Sequence, residues 1–175
     1  MGQGVSCLPA FSGSIAGRPY AVIIPGGAFN RQWGLVEGMA IAAALNEMGY
    51  TAFVLFYRTK QDAVVAKAIE DMYACIRQIE ARADEFEVQA GHYMIGGFSA
   101  GATLAGEIGS TNFGWKSAGV PKPEMIFSCL HRSPHEGFLC RLHCIPGRSS
   151  DARRGCRVSA PRGRTGDHTG SRRTV

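Results

Sequence analysis

Short apolar runs alternate along this chain with longer segments whose apolar positions recur every three to four residues. YAVII (20–24) ends at PGG, the pattern of a buried parallel strand entering a loop. TAFVLFY (51–57), HYMIG (92–96) and EMIFSCL (124–130) predict three more strands. Residues 34–48 predict a helix with Val36, Ala40, Ala43 and Ala44 on its inner face and Gly49 as the left-handed cap. Residues 61–83 carry the strongest helical period. Val65, Ile69, Met72, Ile76 and Ile79 form one stripe, while Glu70, Asp71, Gln78 and Glu80 populate the other faces. Residues 100–109 predict a helix of small residues. Strand–helix alternation at this spacing implies right-handed crossovers and a parallel sheet covered on both faces, an α/β fold. Ligands of such sheets bind beyond the carboxyl ends of the strands, where the glycine-rich loops 25–28 and 97–101 both fall.

Composition divides the chain in two. The net charge of +5 is uneven: residues 1–131 hold 9 Lys and Arg against 11 Asp and Glu, whereas 132–175 hold 10 against 3. All ten cations of the second part are Arg, and from Leu139 onward there is no aromatic residue. Such a stretch buries too little apolar surface to offset its ordering entropy, so 131–175 is expected to be a basic, disordered tail. The expected domains are an N-terminal extension (1–17), a folded body (18–130) and that tail. No run is long enough to span a membrane. Gly2 and Ser6 fit the loose myristoylation spacing, but no basic cluster follows them. The six cysteines are too unevenly placed for a disulfide scaffold, which points to reduced thiols and a cytoplasmic protein.

The chemistry concentrates at MIGGFSAGATLAG (94–106). Gly97-Phe98-Ser99-Ala100-Gly101 matches G-x-S-x-G, and its setting of strand, tight turn and helix is the one that motif requires. A serine presented above a sheet on so sharp a turn leaves no room for side chains at Gly97 and Gly101. The following helix directs free N–H groups toward Ser99, and the Ala100 N–H is positioned to bind an oxyanion. In IIPGGAFN (23–30), Gly26, Gly27 and Ala28 let backbone amides turn inward, so Gly27 or Ala28 would supply the second donor.

These stretches resemble the α/β-hydrolase superfamily, and within it small carboxylesterases similar to acetyl-xylan esterases, whose oxyanion loop reads PGGG[FY]. AVIIPGGAF (21–29), EGMAIAAALNEMGYTAFVLFYR (37–58), IGGFSAGATLAGEIG (95–109) and the strand after PKPEM (121–125) carry the likeness, over roughly 18–130. Ala28 stands where that family usually has a third glycine. The resemblance implies a serine carboxylesterase acting on short acyl esters, among them acetyl groups on sugars, with Ser99 as nucleophile and no cofactor.

The family's acid and histidine follow the serine in chain order. Asp151 and His168 are formally available in that order, but neither follows a strand pattern. The break in character near 128–131 has the signature of a shifted reading frame, with a natural disordered tail as the competing explanation. A nucleic-acid arm lacks interleaved aromatic residues, and a metal site of His131, His135, Cys140 and Cys144 matches no common spacing. His92 reads as a structural residue at a strand start. The chain is thus expected to be a partial α/β-hydrolase fold that takes a small-molecule ester but no metal, nucleic acid or membrane, impaired for want of its triad partners. The alternative is a non-catalytic or non-functional fragment. A dinucleotide loop is disfavoured because Ser99 stands where the second glycine of G-x-G-x-x-G belongs.

Overall fold

The computed structural model describes residues 6–9, 16–60, 62–110, 112, 114–131 and 138–144, with side chains between 16 and 129. Four parallel strands form its centre: β2 (Arg18–Ile24), β3 (Thr51–Phe56), β4 (Val88–Phe98) and β5 (Met125–His131). An antiparallel strand flanks them on each side, β1 (Ser6–Pro9) beside β3 and β6 (Phe138–Cys144) beside β5. The resulting order is β1-β3-β2-β4-β5-β6. All four strands expected from the apolar runs are present. Ser6–Pro9, inside the expected extension, joins the sheet, and so does Phe138–Cys144, where no strand was expected. Apart from that strand and His131, residues 131–175 lie outside the described residues, as do His135, Asp151, His168 and the side chains of His131, Cys140 and Cys144.

Helices cover both faces. A π-helical turn over Gly34–Met39 runs into α1 (Ala40–Glu47) on one face, where Ala21, Ile23, Ala42, Leu45, Ala52, Val54 and Met94 pack together. The other face buries Val22, Ile24, Phe53, Leu55, Tyr93 and Ile95 beneath α2 (Val64–Ala81) and α3 (Ala100–Glu107). Tyr20–Ile24 is fully buried along its length, as befits a central strand covered twice. A short α4 (Trp115–Ala118) leads toward β5. Among the described residues no helix is long and apolar enough to cross a membrane.

Three expectations are corrected. The segment 34–48 is helical, and Gly49 caps it at φ 95°, but its inner face is Gly34, Gly38, Ala42 and Leu45, while Val36 is 64% exposed. Close approach decides that face. A Cβ on Gly34 would stand 2.5 Å from the Phe56 ring and one on Gly38 2.8 Å from Val54 Cγ1, so size outweighs hydrophobicity there. Asp71, expected on a polar face of α2, is buried because its carboxylate accepts the Arg58 backbone N–H at 2.7 Å and the Arg58 Nε at 2.9 Å. Cys75 and Cys129 are each disulfide-bonded rather than reduced. Both are buried, and the sheet register pairs Cys129 with Cys140.

Candidate active site

Ser99 occupies the junction between β4 and α3 with φ 50° and ψ −114°, a region that non-glycine residues enter only at a cost of about 1–3 kcal/mol. Its surroundings hold it there. The Ser99 N–H donates to the Cys129 carbonyl at 2.9 Å, and the Ser99 carbonyl accepts the Ala102 N–H at 2.9 Å. The flanking glycines are dictated by space: a Cβ on Gly97 would meet the Gly101 carbonyl oxygen at 2.0 Å, and one on Gly101 the Ile24 carbonyl oxygen at 2.0 Å. The start of α3 therefore lies directly on the end of β2, and Ala100, Gly101, Ala102, Leu104 and Ala105 are buried. Gly106 is exposed, and a Cβ there would meet nothing within 4 Å. No side chain caps α3, and Ser99 itself is exposed.

β2 and β4 are adjacent and parallel, with Ile24 paired to Gly97, so the loop after β2 stands beside Ser99. A Cβ built on Gly26 would lie 2.9 Å from Ser99 Cβ and 2.6 Å from the Phe98 carbonyl oxygen. Gly27 takes φ 134°, and its carbonyl accepts the N–H groups of Asn30 and Arg31, both at 3.1 Å. Ala28 and Phe29 follow at φ 53° and 56°, two consecutive non-glycine residues in the left-handed region. The loop is tied to the end of β3 at several points. Tyr57 Oη donates to the Pro25 carbonyl at 3.1 Å, the Lys60 N–H to the Phe29 carbonyl at 3.1 Å, and Gln32 Nε2 to the Tyr57 carbonyl. Phe29 and Tyr57 also meet edge to face at 5.9 Å.

Between the loops opens a cavity of about 400 Å3 lined by Gly27, Ala28, Asn30, Arg31, Trp33, Glu37 and Ser99. Three of the proposed site residues thus share one cavity, with Ala100 directly after Ser99 in the chain. Asn30, Arg31, Trp33 and Glu37 are not singled out by the sequence pattern. Arg31 lies over the Trp33 ring at 4.9 Å, giving the mouth an aromatic wall with a cation above it. Glu37 Oε2 accepts the Gly26 N–H at 2.7 Å, so that amide is already engaged within the protein. Burial, with the Glu37 charge adding to it, pushes the Tyr57 hydroxyl up to about 12, so it donates throughout the neutral range.

His92 lies outside this cavity. It sits within β4 near the opposite end of the sheet from Ser99, half-exposed, with Nδ1 2.7 Å from Glu124 Oε1. Among the described residues no group of three His, Cys, Asp or Glu gathers as a metal site.

The fold has solved counterparts. It matches MGS-M1, an α/β hydrolase enzyme from a Medee basin deep-sea metagenome library, at 22% identity and TM-score 0.57, covering 75% of this chain and 60% of that one. It matches the sugar hydrolase YeeB from Lactococcus lactis at 20% identity and TM-score 0.55 (65% and 46% of the two chains). The thermophilic esterase Est2 from Thermogutta terrifontis matches at 19% identity and TM-score 0.50 (61% and 44%). The chain therefore spans between 44% and 60% of the length of these structures. At such identities the likeness establishes the α/β-hydrolase fold. No curated protein matches the chain in sequence. The family model BD-FAE matches residues 11–116, a stretch that includes the loop after β2, the Glu37 turn, Ser99 and all of α3. The chain belongs to the BD-FAE family.

Proposed function

We propose that Ser99 is the nucleophile of a carboxylic ester hydrolase, and that residues 18–130 are the part of its domain that binds and polarises the acyl group. Ser99 Oγ attacks the acyl carbon, and the amides of Ala100 and of Gly27 or Ala28 receive the negative charge that develops on the carbonyl oxygen. The backbone of Ser99, held at φ 50° between strand and helix beside an amide-bearing loop, carries this reading. A cavity of about 400 Å3 suits a small acyl and alcohol pair, in keeping with short acyl esters such as acetylated sugars.

Among the described residues no histidine lines that cavity. Without a base the serine hydroxyl stays protonated, and only the contribution of the oxyanion amides remains, several orders of magnitude below a complete triad. This chain is accordingly expected to hydrolyse p-nitrophenyl acetate feebly or not at all, with whatever turnover exists lost in Ser99→Ala. Turnover that Ser99→Ala leaves unchanged would remove Ser99 from the chemistry, and robust turnover abolished by it would refute the impairment. The second reading, a fragment without catalysis, is favoured by the chain's 44–60% span of its structural neighbours. It predicts no Ser99-dependent turnover whatever the acyl length.

A further inference from the structure

We propose that Glu37 and Tyr57 form a clamp on the Pro25–Gly26 peptide that aims the Gly27 and Ala28 amides at Ser99, making both positioning residues for the reaction proposed above. The peptide is gripped at both ends: Tyr57 Oη donates to its carbonyl at 3.1 Å, and Glu37 Oε2 accepts its N–H at 2.7 Å. A peptide unit is planar, so holding its oxygen and its hydrogen fixes the plane. What remains free before the next amide is the rotation at Gly26 and Gly27, the residue type with the widest backbone freedom. The glycines that make room beside Ser99 would otherwise let the loop swing. The clamp narrows that swing by fixing, from outside the loop, the plane from which those rotations start.

The π-helical turn exists, on this view, to deliver the carboxylate. Gly34 and Gly38 press the turn against Phe56 and Val54, and Glu37 lies between them with its side chain reaching the loop. Widened helical turns of this kind recur at functional sites. The same point in space, the place of a Gly26 Cβ, is 2.9 Å from both Glu37 Oε2 and Ser99 Cβ, so the clamp and the nucleophile are immediate neighbours. A carboxylate this close to a developing oxyanion opposes it electrostatically, so the Glu37 contribution is geometric and not one of charge. Gln, which keeps the acceptor and drops the charge, should therefore replace Glu, whereas Ala should not.

The test has two arms on the full chain. In the first, hydrogen–deuterium exchange of the Gly26, Gly27 and Ala28 amides is compared among wild type, Glu37→Gln, Glu37→Ala and Tyr57→Phe. Loss of the acceptor for the Gly26 N–H should speed exchange by about tenfold or more in Glu37→Ala. Tyr57→Phe should speed it severalfold, and Glu37→Gln should stay within about threefold of wild type. Unchanged exchange in Glu37→Ala, or equal acceleration in Gln and Ala, overturns the clamp. Should Glu37→Ala not fold, Tyr57→Phe decides alone, and unaltered exchange there overturns it. In the second arm, Ser99 Oγ forms a P–O bond to diisopropyl fluorophosphate as the P–F bond breaks, fluoride leaving and the hydroxyl proton passing to solvent, and intact mass gives the labelling rate. It should fall about tenfold in Glu37→Ala and recover in Glu37→Gln. Labelling of wild type that Ser99→Ala leaves unchanged places the reagent on another group and removes Ser99 as nucleophile, while the exchange arm still decides the clamp.

Discussion

Gly97 and Gly101 would each place a Cβ 2.0 Å from a backbone carbonyl oxygen, and backbone cannot retreat as a flexible side chain can. Gly97→Ala or Gly101→Ala is expected to destabilise the fold by about 3 kcal/mol or more, read as a lowered urea midpoint. Ala28 tests the opposite sign. At φ 53° it holds a left-handed conformation that costs an L-residue about 1–2 kcal/mol. Part of that gain is lost to the greater freedom of glycine in the unfolded chain, so Ala28→Gly should raise stability by under about 1 kcal/mol. The elbow was legible because its glycines are conspicuous next to an apolar run. Glu37 was not, since a lone carboxylate at the start of a helix reads as solvated until the loop it grips is folded beside it.

At the scale of elements, the turn of 34–39 with α1 shows where hydrophobic patterning misleads. Its existence was readable, but its inner face begins at Gly34 and Gly38, because the turn lies too close to Phe56 and Val54 for anything larger there. Gly38→Ala should therefore cost about 1–3 kcal/mol through contact with Val54, whereas Val36→Ser on the exposed side should stay within about 0.5 kcal/mol. Chemical denaturation of the two variants distinguishes the faces. For α2 the stripe of Met72, Ile76 and Ile79 packs as the period implies, but Asp71 answers a partner 13 residues earlier in the chain. Removing it strands a part-buried backbone N–H of Arg58, so Asp71→Ala is expected to lose about 1–3 kcal/mol. Nothing in a local pattern reports such a pairing.

For the whole molecule, burial of tyrosines sets an alkaline limit. Tyr57 and Tyr73 are pushed up to about 12, and Tyr20 and Tyr93 further, desolvation being the leading cause in each. The unfolded chain begins to lose these protons near pH 10 while the folded one keeps them. Stability should thus be unaffected below that pH and fall as pH rises from 10 toward 12, visible as a declining urea midpoint alongside tyrosinate absorbance. The four central strands were readable as apolar runs bounded by turns. β1 and β6 were not: one is four residues long and ends in Pro9, and the other lies in an Arg-rich stretch whose composition hides its alternation. The direction of β6 bears on any proton acceptor encoded later in the chain. A strand parallel to its neighbours would release the chain beside Ser99, but β6 runs the other way and ends with Cys144 alongside Met125, at the far rim of the sheet. A histidine encoded after Cys144 begins its route to the serine a full strand length away, about 20 Å on the wrong side of the molecule.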